Sequence, residues 1–183
     1  MSEAGNASGG AVKRIAVVVG NPKPASRTLG AAVTVADALA EATGAPVDHL
    51  VIDLAEHAAS LFDWAAPELS RLTAEVAAAD LAVFASPTYK ASYTGMLKAF
   101  LDRYGANGLA GLVAVPLMTG GWPGHLLAVE VHLRPVLIEL GAVVPARGLY
   151  ITEPEFGDVD AAVATWAGAG VPHIRAALRE QRM

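Results

Sequence analysis

A doubly wound parallel α/β sheet is what this sequence predicts, on three grounds. Apolar runs such as Ile15-Ala16-Val17-Val18-Val19 are continuous rather than alternating, as in strands covered on both faces. Between such runs lie segments whose apolar residues recur at three and four positions, the period of one helix face. The cycle of strand then helix repeats until five strands have passed, which indicates a parallel sheet with helices on both faces. At 183 residues the chain fits one domain, expected over residues 12–183.

Each element follows from its local pattern. Met1 to Ala11 are small, polar and rich in Gly and Ser, with Glu3 where a signal peptide would carry positive charge. This stretch reads as a disordered tail on a cytoplasmic protein. The first strand stops at Gly20, and Leu29, Ala32, Val33, Ala36, Leu39 and Ala40 then mark a helix ending near Gly44. A second strand is expected over Pro46 to Leu54, a helix over Pro67 to Ala79, and a buried strand over Leu81 to Ala85. A helix from Thr94 to Tyr104, a strand from Leu112 to Met118, a helix from Pro123 to Leu140 and a strand from Ala142 to Ile151 complete the sheet. The last helix spans Asp158 to Arg182, with Gly168, Gly170 and Pro172 interrupting its pattern. Pro135 falls well inside the helix from Pro123, where it lacks an N–H and crowds the Val131 carbonyl. A kink or a one-residue π-bulge around Val131 and His132 is the expected adaptation.

Composition narrows the chemistry. The chain has no cysteine, which excludes disulfides, thiolate nucleophiles and cysteine-held metal, so any redox step needs a cofactor. Hydrophobic residues make up 54% and mean hydropathy is +0.42, yet no unbroken apolar stretch reaches the roughly 18 residues of a membrane span. With 13 basic against 18 acidic residues the net charge is −5, which argues against broad binding to nucleic acid or to anionic membrane. Five histidines are present, but His125 and His132 would stand roughly 10 Å apart along a helix, too far to share an ion. A Gly-x-Ser-x-Gly elbow is missing from the candidate loops. Asp53, Glu56 and Asp63 read as a solvated acidic face, and Lys98 with Asp102 as a weak surface pair.

In open parallel sheets ligands sit beyond the carboxyl ends of the strands, which singles out three loops. The first, Gly20 to Thr28, enters a helix whose first turn holds Ser26, Arg27 and Thr28. Helix N–H groups, two hydroxyls and a guanidinium can converge there on one phosphate, although an ordinary turn capped by Ser26 explains the same serine. It carries neither a Walker A pattern nor Gly-x-Gly-x-x-Gly. The second, Ser86 to Gly95, places Pro87, Thr88, Tyr89 and Lys90 at the sheet edge, a rigid wall suited to a flat heterocycle. In the third, Thr119-Gly120-Gly121-Trp122-Pro123-Gly124, paired glycines let backbone amides approach a ligand. Three loops at one edge supply a phosphate clamp, an aromatic wall and an amide-rich rim.

Pro87-Thr88-Tyr89-Lys90-Ala91-Ser92-Tyr93-Thr94-Gly95-Met96-Leu97-Lys98, the later Asp102, and Thr119-Gly120-Gly121 followed by His125-Leu126-Leu127-Ala128 resemble the NAD(P)H-dependent FMN reductases. The resemblance is nearest to the flavin reductase components of two-component alkanesulfonate monooxygenases and covers Arg14 to Ile151. It implies a flavodoxin-like fold, the FMN phosphate on Ser26, Arg27 and Thr28, the flavin ring beside Pro87, Thr88, Tyr89, Lys90, Gly120 and Gly121, and Thr119 among the cofactor-binding residues. Asn21 and Lys23 stand where that family often has serine and arginine. The helix after the third loop often carries an inserted tyrosine or histidine in this subgroup, where Val131 and His132 stand here, and takes part in subunit contacts near the flavin.

The resemblance implies hydride transfer from NADPH or NADH to FMN, with the Gly120 and Gly121 amides facing charge that develops on the reduced ring and Lys90 orienting the flavin or the dinucleotide. It also implies a homodimer or homotetramer and a partner flavin-dependent monooxygenase. Two alternatives stand beside it: a quinone, azo-dye or metal-ion reductase that retains its FMN, and a non-enzymatic flavodoxin-like electron carrier. Carriers of that kind are usually strongly acidic, and a net charge of −5 is modest.

Overall fold

The structure, a computed structural model, describes residues 12, 14–44 and 48–181. The expected tail at 1–11 lies outside the described residues, as does the start of the second strand expected at Pro46. Five parallel strands, β1 (Arg14–Val19), β2 (Asp48–Asp53), β3 (Leu81–Pro87), β4 (Val113–Gly120) and β5 (Leu149–Thr152), form one sheet in the order β2-β1-β3-β4-β5. That is the flavodoxin-like order, in which connections reverse direction between β1 and β3.

The helices are α1 (Arg27–Thr43), α2 (Pro67–Ala77), α3 (Gly95–Leu101), α4 (Arg134–Glu139) and α5 (Val159–Glu180). Alternate strand residues feed two separate cores, as a sheet covered on both faces requires. Ala16, Val18, Ala82, Phe84 and Ala114 pack with Leu69, Leu97, Phe100 and Leu133 on one side. Ile15, Val17, Val19, Val83 and Val115 pack with Ala32, Val35, Leu39 and Ile174 on the other. α5 runs unbroken through Pro172, which lies on its exposed side, while Gly170 packs against Ala146.

Two expected elements are different in the structure. The strand expected over Ala142 to Ile151 pairs once at Val143, opposite Val113, and becomes a continuous strand only at Leu149. The reason lies in β4: Ala114 N–H donates to Val143 O, and the next donor on that edge would be residue 116, a proline with no N–H. Backbone groups of the intervening segment turn instead to side chains. Arg134 donates to Ala146 O at 2.8 Å and Val144 O at 2.7 Å, and Glu130 Oε1 accepts from Gly148 N–H at 2.5 Å.

The helix expected from Pro123 to Leu140 is three pieces. A 3-10 turn at Pro123–His125 leads to a π-helical turn at Val129–Leu133, and α4 follows with Pro135 in its first turn. Arg134 N–H reaches back five residues to Val129 O. The shift places the donor-less Pro135 where a helix start needs no N–H, and the π-turn contains both Val131 and His132.

Gly20 ends β1 at a close approach to α3. A Cβ built there would lie 2.4 Å from Leu97 Cβ and 2.8 Å from Leu97 Cα. Gly20→Ala is therefore expected to destabilise the fold by about 1–3 kcal/mol through overpacking. Gly30, exposed inside α1 with nothing near its Cβ position, provides the contrast. Gly30→Ala is expected to stabilise by about 0.5–1 kcal/mol. Urea denaturation of both variants checks the opposite signs.

Candidate functional site

The three loops meet in one cleft at the carboxyl edge of the sheet. Its volume is about 330 Å³, and its walls are Asn21, Lys23, Ser26, Arg27, Thr28, Pro87, Thr88, Tyr89, Thr119, Gly120, Gly121, Glu153 and Phe156. Nine of the ten residues singled out from sequence line it. Lys90 does not: it sits exposed at the tip of a two-residue hairpin turn, where Tyr89 and Ser92 exchange backbone hydrogen bonds. Lys90 and Ala91 both take the left-handed conformation there, at φ 51° and 64°, as this tight turn requires.

The first loop is arranged to receive an anion. Ser26 caps α1 by accepting the Leu29 N–H at 3.2 Å, so its own hydroxyl proton remains free to donate outward. Thr28 Oγ1 accepts from Asn21 Nδ2 at 3.1 Å and shares a 2.9 Å hydrogen bond with Thr119 Oγ1, in which either hydroxyl can donate. When Thr119 donates, the Thr28 proton is available to a ligand. The N–H groups of the first turn of this 17-residue helix add a partial positive charge.

Asp53 determines the loop's shape. Sequence pattern assigned it to a solvated acidic face, but it is buried, with Oδ2 accepting the Ala25 N–H at 2.9 Å and Oδ1 the Ala55 N–H at 3.2 Å. Ala25 is held at φ 49°, a left-handed conformation costly for a residue with a Cβ. The carboxylate at the end of β2 thus fixes the turn that aims α1 at the cleft. The spacing of Asp53 from the loop gave no hint of this contact, which crosses 28 positions.

The second loop is tied to the first. Thr94 caps α3 by accepting the Leu97 N–H and donates to the Gly20 carbonyl. Ser86 Oγ accepts the Thr94 N–H at 2.9 Å and donates to Pro87 O. Thr88 N–H donates to Thr119 O at 2.7 Å, and Thr88 Oγ1 to the Tyr150 hydroxyl at 3.1 Å. Gly120 is needed beside that pair: a Cβ there would lie 2.1 Å from the Tyr150 oxygen. Tyr89, half exposed, stands at the cleft wall.

Two wall residues come from the turn after β5, which the sequence reading did not examine. Glu153 Oε1 accepts from Arg27 Nη2 at 3.0 Å, and the Arg27 guanidinium lies 4.5 Å from the centre of the Phe156 ring. The signal that could have found them is topological, since every segment following a strand reaches this same edge. Lys98 pairs with Asp102 as expected, and that hydrogen bond raises the Lys98 pKa, while burial raises that of Tyr93. Neither Lys98 nor Tyr93 lines the cleft. Among the described residues no cluster of His, Asp or Glu could hold a metal ion, and no helix is long and apolar enough to cross a membrane.

Fold and cleft together are those of a flavodoxin-like α/β protein with an anion-receiving helix end facing an aromatic and glycine-lined wall. Residues 13–155 match the NADPH-dependent FMN reductase family, and the chain belongs to it. It is 40% identical to an FMN reductase (NADPH) from Escherichia coli over 92 residues, a match that spans 50% of this chain and 48%, about half, of that relative. With an NADH-dependent FMN reductase from Pseudomonas fluorescens it shares 35% identity over 155 residues, 80% of each chain. Among solved structures, the apo form of an NADH:FMN oxidoreductase superposes with a TM-score of 0.80 at 30% identity, covering 90% of this chain and 89% of that one. The expectation of a flavodoxin-like NAD(P)H-dependent FMN reductase is met in family, fold and enzyme class.

Proposed function

We propose that residues 12–183 form a single FMN-binding unit in which FMN is an exchangeable substrate, reduced by NADPH or NADH and released to a partner flavin-dependent monooxygenase. The observation that carries this reading is the cleft itself. The residues expected to take the phosphate, Ser26, Arg27 and Thr28, share it with Pro87, Thr88, Tyr89, Thr119, Gly120 and Gly121. That set suits a ligand with a phosphate at one end and a flat heterocycle at the other.

Bound flavin supplies the redox chemistry, taking a hydride from the reduced nicotinamide and a proton from solvent to give the dihydroflavin and the oxidised nucleotide. The protein binds and positions. Ser26 and Thr28 hydroxyls, the Arg27 guanidinium and the first-turn amides of α1 hold the phosphate. The wall from Pro87 to Tyr89 limits where a ring can lie, and the Gly120 and Gly121 amides offer donors to developing negative charge. Arg27, with its side chain 63% exposed, makes a clamp that solvent can reach, which supports exchange over retention. A cytoplasmic setting, where reduced nicotinamides are at hand, completes the reading; neither nucleic acid nor membrane has a part in it.

Purified protein is expected to oxidise NADPH or NADH at a rate that rises and saturates with added free FMN, followed as loss of nucleotide absorbance. Stoichiometrically bound flavin and a rate indifferent to added FMN would instead identify a retained-cofactor reductase, and no oxidation with any acceptor an electron carrier. Arg27→Ala is expected to weaken FMN binding about tenfold or more, the value of a charge-assisted hydrogen bond, and to leave riboflavin, which has no phosphate, unchanged. Flavin fluorescence titrations of both ligands decide it, equal losses showing that the loop does not hold the phosphate.

The assembly is part of the proposal: a homodimer or homotetramer formed through the face carrying the π-turn. Trp122, Leu126, Leu127, Val131 and Ile138 all expose large apolar side chains there, beside the third loop. Leu127→Glu and Val131→Glu are expected to lower the mass measured by light scattering to that of a monomer. A monomeric unsubstituted protein, or assembly unaffected by both changes, refutes this interface.

A further inference from the structure

Arg27 is already engaged by an anion within the chain. Glu153, one residue past β5, places Oε1 3.0 Å from Arg27 Nη2. Its other oxygen lies 3.2 Å from where a Cβ on Gly121 would sit. One carboxylate therefore reaches from the helix end to the glycine rim, across the mouth of the cleft that both residues line. Phe156, three positions on, places its ring centre 4.5 Å from the same guanidinium.

We propose that Glu153 is an internal competitor for the flavin phosphate, a specificity-determining residue that holds Arg27 in the free protein and must be displaced when a phosphate binds. The inference rests on the reading that Arg27 takes the phosphate. Both side chains are largely exposed, 63% for Arg27 and 60% for Glu153, so solvent screens their attraction. A doubly charged phosphate in a bidentate geometry outcompetes such a pair. Displacing it nevertheless weakens binding and hastens departure. The effect falls only on flavins that carry a phosphate. It gives the protein a means of recognising FMN without retaining it.

The test is the affinity of FMN and of riboflavin for E153Q, E153D and R27A, read by flavin fluorescence, with FMN dissociation followed by stopped flow. E153Q keeps the side-chain shape and removes the charge. It is expected to bind FMN about twofold to fivefold more tightly, the range of an exposed ion pair, with slower dissociation and unchanged riboflavin affinity. E153D keeps the charge and draws it back by one methylene, and is expected to bind FMN with an affinity between those of the unsubstituted protein and E153Q. The R27A/E153Q double variant is expected to gain little over R27A. Unchanged or weaker FMN binding by E153Q overturns the competitor. If R27A fails to distinguish FMN from riboflavin, the phosphate reading beneath it fails; if R27A does distinguish them and E153Q does not tighten, only the role of Glu153 falls.

Discussion

The close approach of α3 to β1 at Gly20 is the constraint on which the functional edge depends. No side chain fits between the Gly20 backbone and Leu97, so the first turn of α3 lies directly against the end of β1. That contact puts Thr94 within reach of the Gly20 carbonyl, and one hydroxyl then caps a helix and joins the first loop to the second. Ser86 adds its own pair of hydrogen bonds to the same corner. Between β1 and β3, where the topology opens a crevice, the two loops are thus fixed to each other before any ligand arrives.

The distribution of buried polar groups has the same cause. Ser26, Thr28, Asp53, Ser86, Thr94 and Thr119 are the buried polar or charged side chains among the described residues, and all six lie at the carboxyl edge. Burying a hydroxyl or carboxylate is costly unless each lone pair or proton finds a partner. Asp53 is matched to two backbone amides, Thr94 to a carbonyl and an amide, and Thr28 to Asn21 and Thr119. The polar network is confined to the place where rigid geometry serves binding, while the two cores beneath it remain apolar. Such a partitioned arrangement keeps donors aimed at a ligand position at little cost to the rest of the fold.

Much of this was legible in the sequence, for physical reasons that differ by element. β1, β3 and β4 announce themselves because strands covered on both faces need unbroken apolar runs, and the loops after them follow from topology alone. Ser26 to Thr28, Pro87 to Tyr89 and Thr119 to Gly121 lie in those loops and line the cleft. What escaped depends on contacts between distant positions. Asp53 looks like any surface acid until Ala25 is folded against it, and Glu153 and Phe156 acquire a role only when β5 delivers them beside Arg27. Lys90 belongs to the same motif but stands outside the cleft lining, exposed on a hairpin turn whose left-handed residues the motif does not announce.

The segment from Trp122 to Gly148 shows how a local irregularity reaches the site. Pro135 within a straight helix would cost about 3 kcal/mol, and the π-turn at Val129–Leu133 avoids this by letting the proline begin α4. The turn holds Glu130, and the next residue after it is Arg134. Those two side chains carry the backbone of residues 144–148, the stretch that Pro116 prevents from pairing as a strand. Where that stretch is held decides where β5 starts. β5 in turn places the Tyr150 hydroxyl against Gly120 and Thr88, and sets Glu153 opposite Arg27. Two prolines that break regular structure are thereby converted, through one acidic and one basic side chain, into the placement of the far wall of the cleft.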